Sequence, residues 1–208
     1  MSNVLVMNTS PRAGMSISRR LTELFVARWK EKHTQDTIVY REIGQGNIPH
    51  VSEEWIAGAF KPAELRTEAD MAALQISNTL VGELKEADVI LLGTPMYNWS
   101  IPSTLKAYID QVIRVNETIL INGSTPEKPY TGLLKGKQVY LLIARGNGGY
   151  EPGEYNEHLN FQTNYLKTVF NIMGIDHITE IVVNGADFQK DQLEEALQST
   201  QQKIEELI

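Results

Sequence analysis

A chain of 208 residues with 42% hydrophobic content is long enough for one domain with a substantial buried core. A net charge of -7, without a Lys/Arg cluster interleaved with aromatics, argues against nucleic-acid binding, because a duplex must be met by a basic face. The absence of cysteine removes disulfides, thiolate metal sites and thiol nucleophiles, and fits a reducing compartment.

Residues 4–7 form a short apolar run that breaks at Asn8-Thr9-Ser10-Pro11, as a buried parallel strand does when it enters a loop. From 17 to about 32 the apolar residues Ile17, Leu21, Leu24, Phe25 and Trp29 recur at intervals of three and four, which predicts a helix capped by Ser16 or Ser18. Residues 37–43 read as a strand, 64–87 as mostly helical, and 89–93 as a fully apolar strand bounded by Asp88 and Pro95. A helix is predicted over 101–115, a β-branched apolar strand over 138–144, a helix over 156–173, a last strand over 178–183, and a closing amphipathic helix over 191–207.

Strand and helix thus alternate five times, which predicts an α/β fold: a single three-layer α/β/α domain over 1–208. Its five-stranded parallel sheet is expected in the flavodoxin-like order 2-1-3-4-5. Two connections, 44–61 and 116–137, exceed the usual two to six residues. Long connections at a ligand edge cover a site or bind a partner, so both favour an enclosed pocket.

Three loops that each follow a predicted strand, at 8–18, 94–102 and 144–150, carry the residue types needed to hold one flat, phosphorylated ring. A twisted parallel sheet gathers such loops at the carboxyl ends of its strands. In NTSPRAGMSIS (8–18), hydroxyls fall at Thr9, Ser10, Ser16 and Ser18 and lead into a helix amino terminus. A phosphate there meets unpaired N–H groups and the positive end of the helix dipole. Charge-assisted hydrogen bonds of roughly 1.5–3 kcal/mol each let four or five of them outweigh the field of an acidic protein. Arg12 either pairs with that phosphate or faces solvent. The segment is neither a Walker A loop nor a GxGxxG fingerprint, since Gly14 stands alone, so ATP and dinucleotide readings weaken. The same residues also read as a Ser-capped helix after a polar turn.

The second loop begins at Pro95 and places Met96, Tyr97, Asn98 and Trp99 directly after an apolar strand. Large apolar side chains beside an amide suit an aromatic heterocycle that needs stacking and in-plane hydrogen bonds, with packing in a core or dimer surface as the alternative. The third loop, ARGNGGYEPGEYN (144–156), is rich in glycine, which lets backbone approach a ligand closely. Donors fixed at the pyrimidine end of a flavin raise its reduction potential.

At these residues the chain resembles the FMN-dependent NADH-azoreductase and quinone reductase family of flavodoxin-like proteins, over nearly its whole length. The resemblance is carried by the amino-terminal strand, by Ser10 with Ser16 and Ser18, by PMYNWSIPSTLKAYIDQVIR (95–114) and by ARGNGG (144–149). It implies that Ser10, Ser16, Ile17 and Ser18 bind the FMN phosphate, that Met96, Tyr97, Asn98 and Trp99 run beside the isoalloxazine, and that Arg145, Gly146 and Asn147 approach its pyrimidine end; Arg12, Pro95 and Gly148, in the same loops, complete the expected cofactor-binding set. It also implies a homodimer with sites at the interface. The chain departs from the family pattern at Ala144 and Asn147, and at Ile119, where a phenylalanine is common.

The expected activity is hydride transfer from NADH or NADPH through bound FMN to a quinone or azo acceptor in two alternating half-reactions. The rival reading is a flavodoxin-like electron carrier or flavin-binding interaction module. The flavin does the chemistry, so no catalytic acid or base side chain is assigned. His33, His50, His158 and His177 lack metal-ligand spacing, and no metal is expected. The adjacent acidic pairs read as solvated surface, and Ser103-Thr104 lacks a nucleophile-elbow context. With no run of eighteen apolar residues and no charged-then-apolar amino terminus, neither a membrane span nor a secretory signal is expected, and the chain is read as cytoplasmic.

Overall fold

A computed structural model describes residues 1–122, 126–185 and 190–208. In chain order the elements are β1 (Asn3–Asn8), α1 (Ile17–Lys32), β2 (Thr37–Glu42), α2 (Glu53–Phe60), α3 (Glu68–Ala73), α4 (Gln75–Glu86), β3 (Val89–Pro95), α5 (Ser103–Val112), β4 (Ile119–Ile121), β5 (Tyr130–Gly132), β6 (Gln138–Ala144), α6 (Thr163–Ile172), β7 (His177–Val183) and α7 (Lys190–Leu207). Single 3-10 turns occupy Ala63–Leu65 and Glu157–Leu159.

The continuous apolar runs of β1, β3 and β6 are buried on both faces, as central strands of a parallel sheet must be. The sheet order is β2-β1-β3-β6-β7, all parallel, which is the expected 2-1-3-4-5 once the small antiparallel β4–β5 ribbon is set apart. Side-chain alternation divides the interior in two. Leu5, Met7, Leu141 and Ile143 face a core shared with α4, α5 and α6, while Val4, Val6, Tyr140 and Leu142 face one shared with α1 and α7. The registers Asn8↔Gly93 and Pro95↔Ala144 bring the carboxyl ends of β1, β3 and β6 side by side. The order of strands reverses at β1, since β2 is added on one side of it and β3 on the other, so the loops after β1 and β3 part there and open a crevice.

Several elements differ from the sequence expectation. The helix expected over 64–87 is a 3-10 turn followed by α3 and α4, which meet at Leu74. The helix expected over 156–173 begins only at Thr163, whose N–H donates to Asn160 Oδ1. The connection 44–61 contains α2, capped by Ser52. The connection 116–137 lies at the amino ends of the strands, opposite the crevice, so within this chain it encloses no pocket there. Leu134 N–H donates to Met173 O, before β7, and Lys137 Nζ donates to Lys85 O and Ala87 O, before β3. A connection that leaves a helix and enters a parallel strand returns to that edge. No helix among the described residues is long and apolar enough to cross a membrane.

Candidate functional site

The loop after β1 is held from below and from the side. Thr9 N–H and Oγ1 both donate to Gly93 O, at 3.0 and 3.1 Å, so the loop starts pinned to β3. Ser10 Oγ accepts from Arg12 N at 3.2 Å, closing a hydroxyl turn. Ser16 is the cap of α1: its hydroxyl accepts from Arg19 N at 3.3 Å and lies 3.2 Å from the Ser18 hydroxyl. Among the described residues no acceptor meets the N–H groups of Ile17 and Ser18, and the first turn of α1 carries no acid. That end of the helix is therefore an electropositive cup of backbone donors.

Two glycines let the cup sit this close to the sheet. A Cβ on Gly93 would fall 2.6 Å from Thr22 Cγ2 and 3.0 Å from Ser18 O, so only glycine on β3 admits the first turns of α1. A Cβ on Gly44 would enter the Ser10 carbonyl. Thr22 Oγ1 adds a bond to Asn8 Oδ1 at 2.9 Å, tying helix to strand.

After β3 the chain makes a two-residue turn. Tyr97 and Ser100 exchange backbone hydrogen bonds at 2.9 and 3.0 Å, with Asn98 at φ 47° and Trp99 at φ 63°. Both central residues are left-handed, the geometry of a type I′ turn, which favours Asn-Gly. Asparagine tolerates this region; tryptophan there stores strain. The turn is nevertheless fixed on both sides, since Met96 N–H donates to Ala144 O at 2.8 Å and Phe161 N–H to Trp99 O at 3.1 Å. Trp99 is held with half its surface exposed.

The loop after β6 turns two ways. Gly146 faces the crevice, whereas the Arg145 side chain is fully buried beneath α6 and paired with Glu151 at 2.7 Å. Arg145 N–H is occupied by Val183 O. Asn156 donates from its backbone to Gly149 O and from Nδ2 to Gly148 O, fastening the rest of the loop.

These parts converge. One cavity of about 450 Å³ is lined by Ser10, Arg12, Met15, Ser16, Ile17, Ser18, Pro95, Met96, Tyr97, Ala144 and Gly146, drawn from all three loops. That volume lies within the range of small-ligand sites. A model of the Flavodoxin_2 family, described as having a flavodoxin-like fold, matches residues 2–208. The chain belongs to this family.

Among curated relatives, this chain is 36% identical over 208 residues to the FMN-dependent NADH:quinone oxidoreductase of Nostoc sp., covering all of this chain and 99% of the other. It is 38% identical to the FMN-dependent NAD(P)H:quinone oxidoreductase 1 of Pseudomonas aeruginosa, over 98% of this chain and 97% of that one. Among solved structures it resembles an azoreductase from Bacillus anthracis at 27% identity and a TM-score of 0.87, covering 100% of this chain and 98% of that chain.

Within this flavodoxin-like frame, nine residues singled out in the sequence line the cavity: Ser10, Arg12, Ser16, Ile17, Ser18, Pro95, Met96, Tyr97 and Gly146. Asn98 and Trp99 follow Tyr97 in the turn and are not part of the lining, while Asn147 and Gly148 lie further along the third loop. Arg145 contributes no side chain to it. Met15 and Ala144 line it without having been singled out for the site, and Arg19 was missed altogether. Arg19 reaches back from α1 to donate to Arg12 O and Ser10 O, both at 2.9 Å, and to Glu42 at 2.5 Å. It thereby turns the loop carbonyls away from the cup. A cation in the first turn of a helix opposes the dipole, and that mismatch was the available signal.

A larger groove of about 960 Å³ adjoins the turn on the α5–α6 side, lined in part by Ser100, Ile101, Phe161 and Tyr165. It contains none of the donors of the cup, which lie in the smaller cavity.

Proposed function

We propose that this protein is an FMN-dependent NAD(P)H oxidoreductase acting on quinones and aromatic azo compounds in two alternating half-reactions. The observation that carries this reading is the meeting, in one cavity, of unpartnered helix N–H groups with the Pro95–Tyr97 wall that leads into the strained turn. FMN fits these residues: a dianion needs the donors of Ile17 and Ser18 with the hydroxyls of Ser10, Ser16 and Ser18, and a flat ring needs the Pro95–Tyr97 wall. When bound, FMN supplies the redox chemistry, taking a hydride from NADH or NADPH and, once the nicotinamide has left, delivering it to an acceptor that also takes a proton.

The chain's own residues bind, orient and exclude water. Ser10, Arg12, Ser16, Ile17 and Ser18 would hold the phosphate, Met96 to Trp99 would orient the ring, and Gly146, Asn147 and Gly148 would supply close backbone to it. The side chains of Tyr155 and Phe161, both largely exposed beyond the turn, give an acceptor an apolar surface to lie against. The functional unit is a homodimer with sites at the interface. Supporting an assembly, Ile56, Phe60, Leu65, Ile121 and Tyr130 are all substantially exposed on α2, its following turn and the β4–β5 ribbon, apolar surface that a second copy could cover.

Steady NADH or NADPH oxidation by the purified, FMN-loaded chain, driven by a quinone, tests the activity. An electron carrier would show no such turnover without a separate reductase, and that result would displace this reading.

A further inference from the structure

Strand parity decides where Arg145 points. Leu142 packs toward α1 and α7 and Ile143 toward α5 and α6, so the residue two beyond Ile143 also faces α5 and α6. There Arg145 Nη1 donates to Glu151 Oε1 at 2.7 Å, Nε to Gln162 Oε1 at 3.3 Å and Nη2 to Thr163 Oγ1 at 3.4 Å, and the guanidinium lies 5.4 Å from the Tyr150 ring centre.

This is a costly place for a cation on two separate counts. The side chain is wholly buried, and Thr163 is the first residue of α6, whose amino end is the positive end of its dipole. Its carboxylate partner Glu151 is 39% exposed, so solvent screens the compensation. Gln162 is also buried, and its Nε2 has no acceptor among the described residues, so a second buried donor beside the guanidinium goes uncompensated. Glu154 and Glu157, the other acids of the loop, are exposed and accept from Glu151 N and Gly153 N. An apolar side chain would anchor the loop at less electrostatic cost. Ala144 and Gly146, on either side of Arg145, both line the cavity.

We propose that Arg145 is a positioning residue whose buried charge, together with the amino end of α6, acts through the 144–146 backbone to favour the more negatively charged form of the cavity's ligand. On the reading of that ligand as FMN, on which this inference rests, reduced anionic FMN is held more tightly than oxidised FMN.

The test is the ratio of affinities for dithionite-reduced and oxidised FMN, measured anaerobically on the full chain beside the thermal unfolding of the FMN-free protein. Arg145→Met lowers the ratio at least tenfold, which for a two-electron couple is a fall of about 30 mV in midpoint potential. Arg145→Lys keeps most of the wild-type ratio. Glu151→Gln raises it, because the counter-charge is gone. A purely structural clamp predicts the same direction for Arg145→Met and Glu151→Gln, since both break one ion pair. Shifts of the same sign, or a ratio unmoved by Glu151→Gln, overturn the proposal. If Arg145→Met does not fold, the Lys and Gln variants decide it. A wild type that binds no FMN would instead remove the function proposed above.

Discussion

The two ends of the cavity are built by opposite means. At the phosphate end the ligand-facing groups are mostly backbone, fixed by the sheet: Thr9 is bonded to β3, Gly93 and Gly44 admit close contact, and Arg19 draws the loop carbonyls aside. At the ring end the groups stand on a strained turn and on a long loop held by side chains around one buried cation. The first arrangement suits affinity for a feature that never changes, a phosphate. The second suits a surface that must meet different partners in turn, where precision is set by few contacts and substitution is cheap in stability.

Substitution at the phosphate end gives the largest effect on binding. Ser16→Asp keeps a good helix cap, so urea denaturation should report folding stability within about 0.5 kcal/mol of wild type. The added carboxylate faces the phosphate and removes a donor, so FMN affinity by fluorescence titration should fall about a hundredfold, or roughly 3 kcal/mol, from a charged hydrogen bond and repulsion together. An unchanged affinity would mean that α1 does not hold the phosphate.

A smaller, opposite pattern is expected at the ring end. Trp99→Gly relieves a left-handed residue in a turn that favours glycine, and should raise stability by about 1 kcal/mol in urea. It also removes an aromatic wall. The kcat/KM for a quinone should then drop about tenfold while FMN affinity stays within a few-fold. Loss of stability in this variant would show that the turn belongs to the fold rather than to the site.

The smallest effect is expected at a corner that lines neither end. Lys61, with the N–H and hydroxyl of Thr67, holds the Asp70 carboxyl down, from an ordinary 3.8 to about 2. A carboxyl depressed in the folded state contributes stability above its ordinary range and loses it as pH falls toward the folded value. Thermal unfolding should therefore weaken between about pH 4 and pH 2, and Asp70→Asn should flatten that limb without moving FMN affinity at neutral pH.

Much of the frame was legible because buried parallel strands are continuous apolar runs and amphipathic helices repeat at three and four. The α2 helix was missed because eight residues give little periodicity, although Ser52 before Glu53-Glu54 was a usable cap signal. β4 and β5, at three residues each, carry no pattern of their own. Within the site, Ser16, Met96 and Gly146 were readable from their loops. The placement of the Arg19 and Arg145 side chains was not legible, because the direction of a long side chain depends on register and neighbours. For Arg145 the parity of β6 held the answer, since a residue odd-numbered like Leu141 and Ile143 must face α6.

The central claim is that a helix tip in this cavity recognises a phosphate while separate loops hold the ring. The most direct measurement is a paired titration of the FMN-free chain with FMN and with riboflavin, which share the ring and differ in the phosphate. The account predicts stoichiometric uptake of one FMN per chain and riboflavin binding weaker by two orders of magnitude or more, roughly the worth of two charged hydrogen bonds. Equal affinity for the two, or uptake of neither, would contradict it.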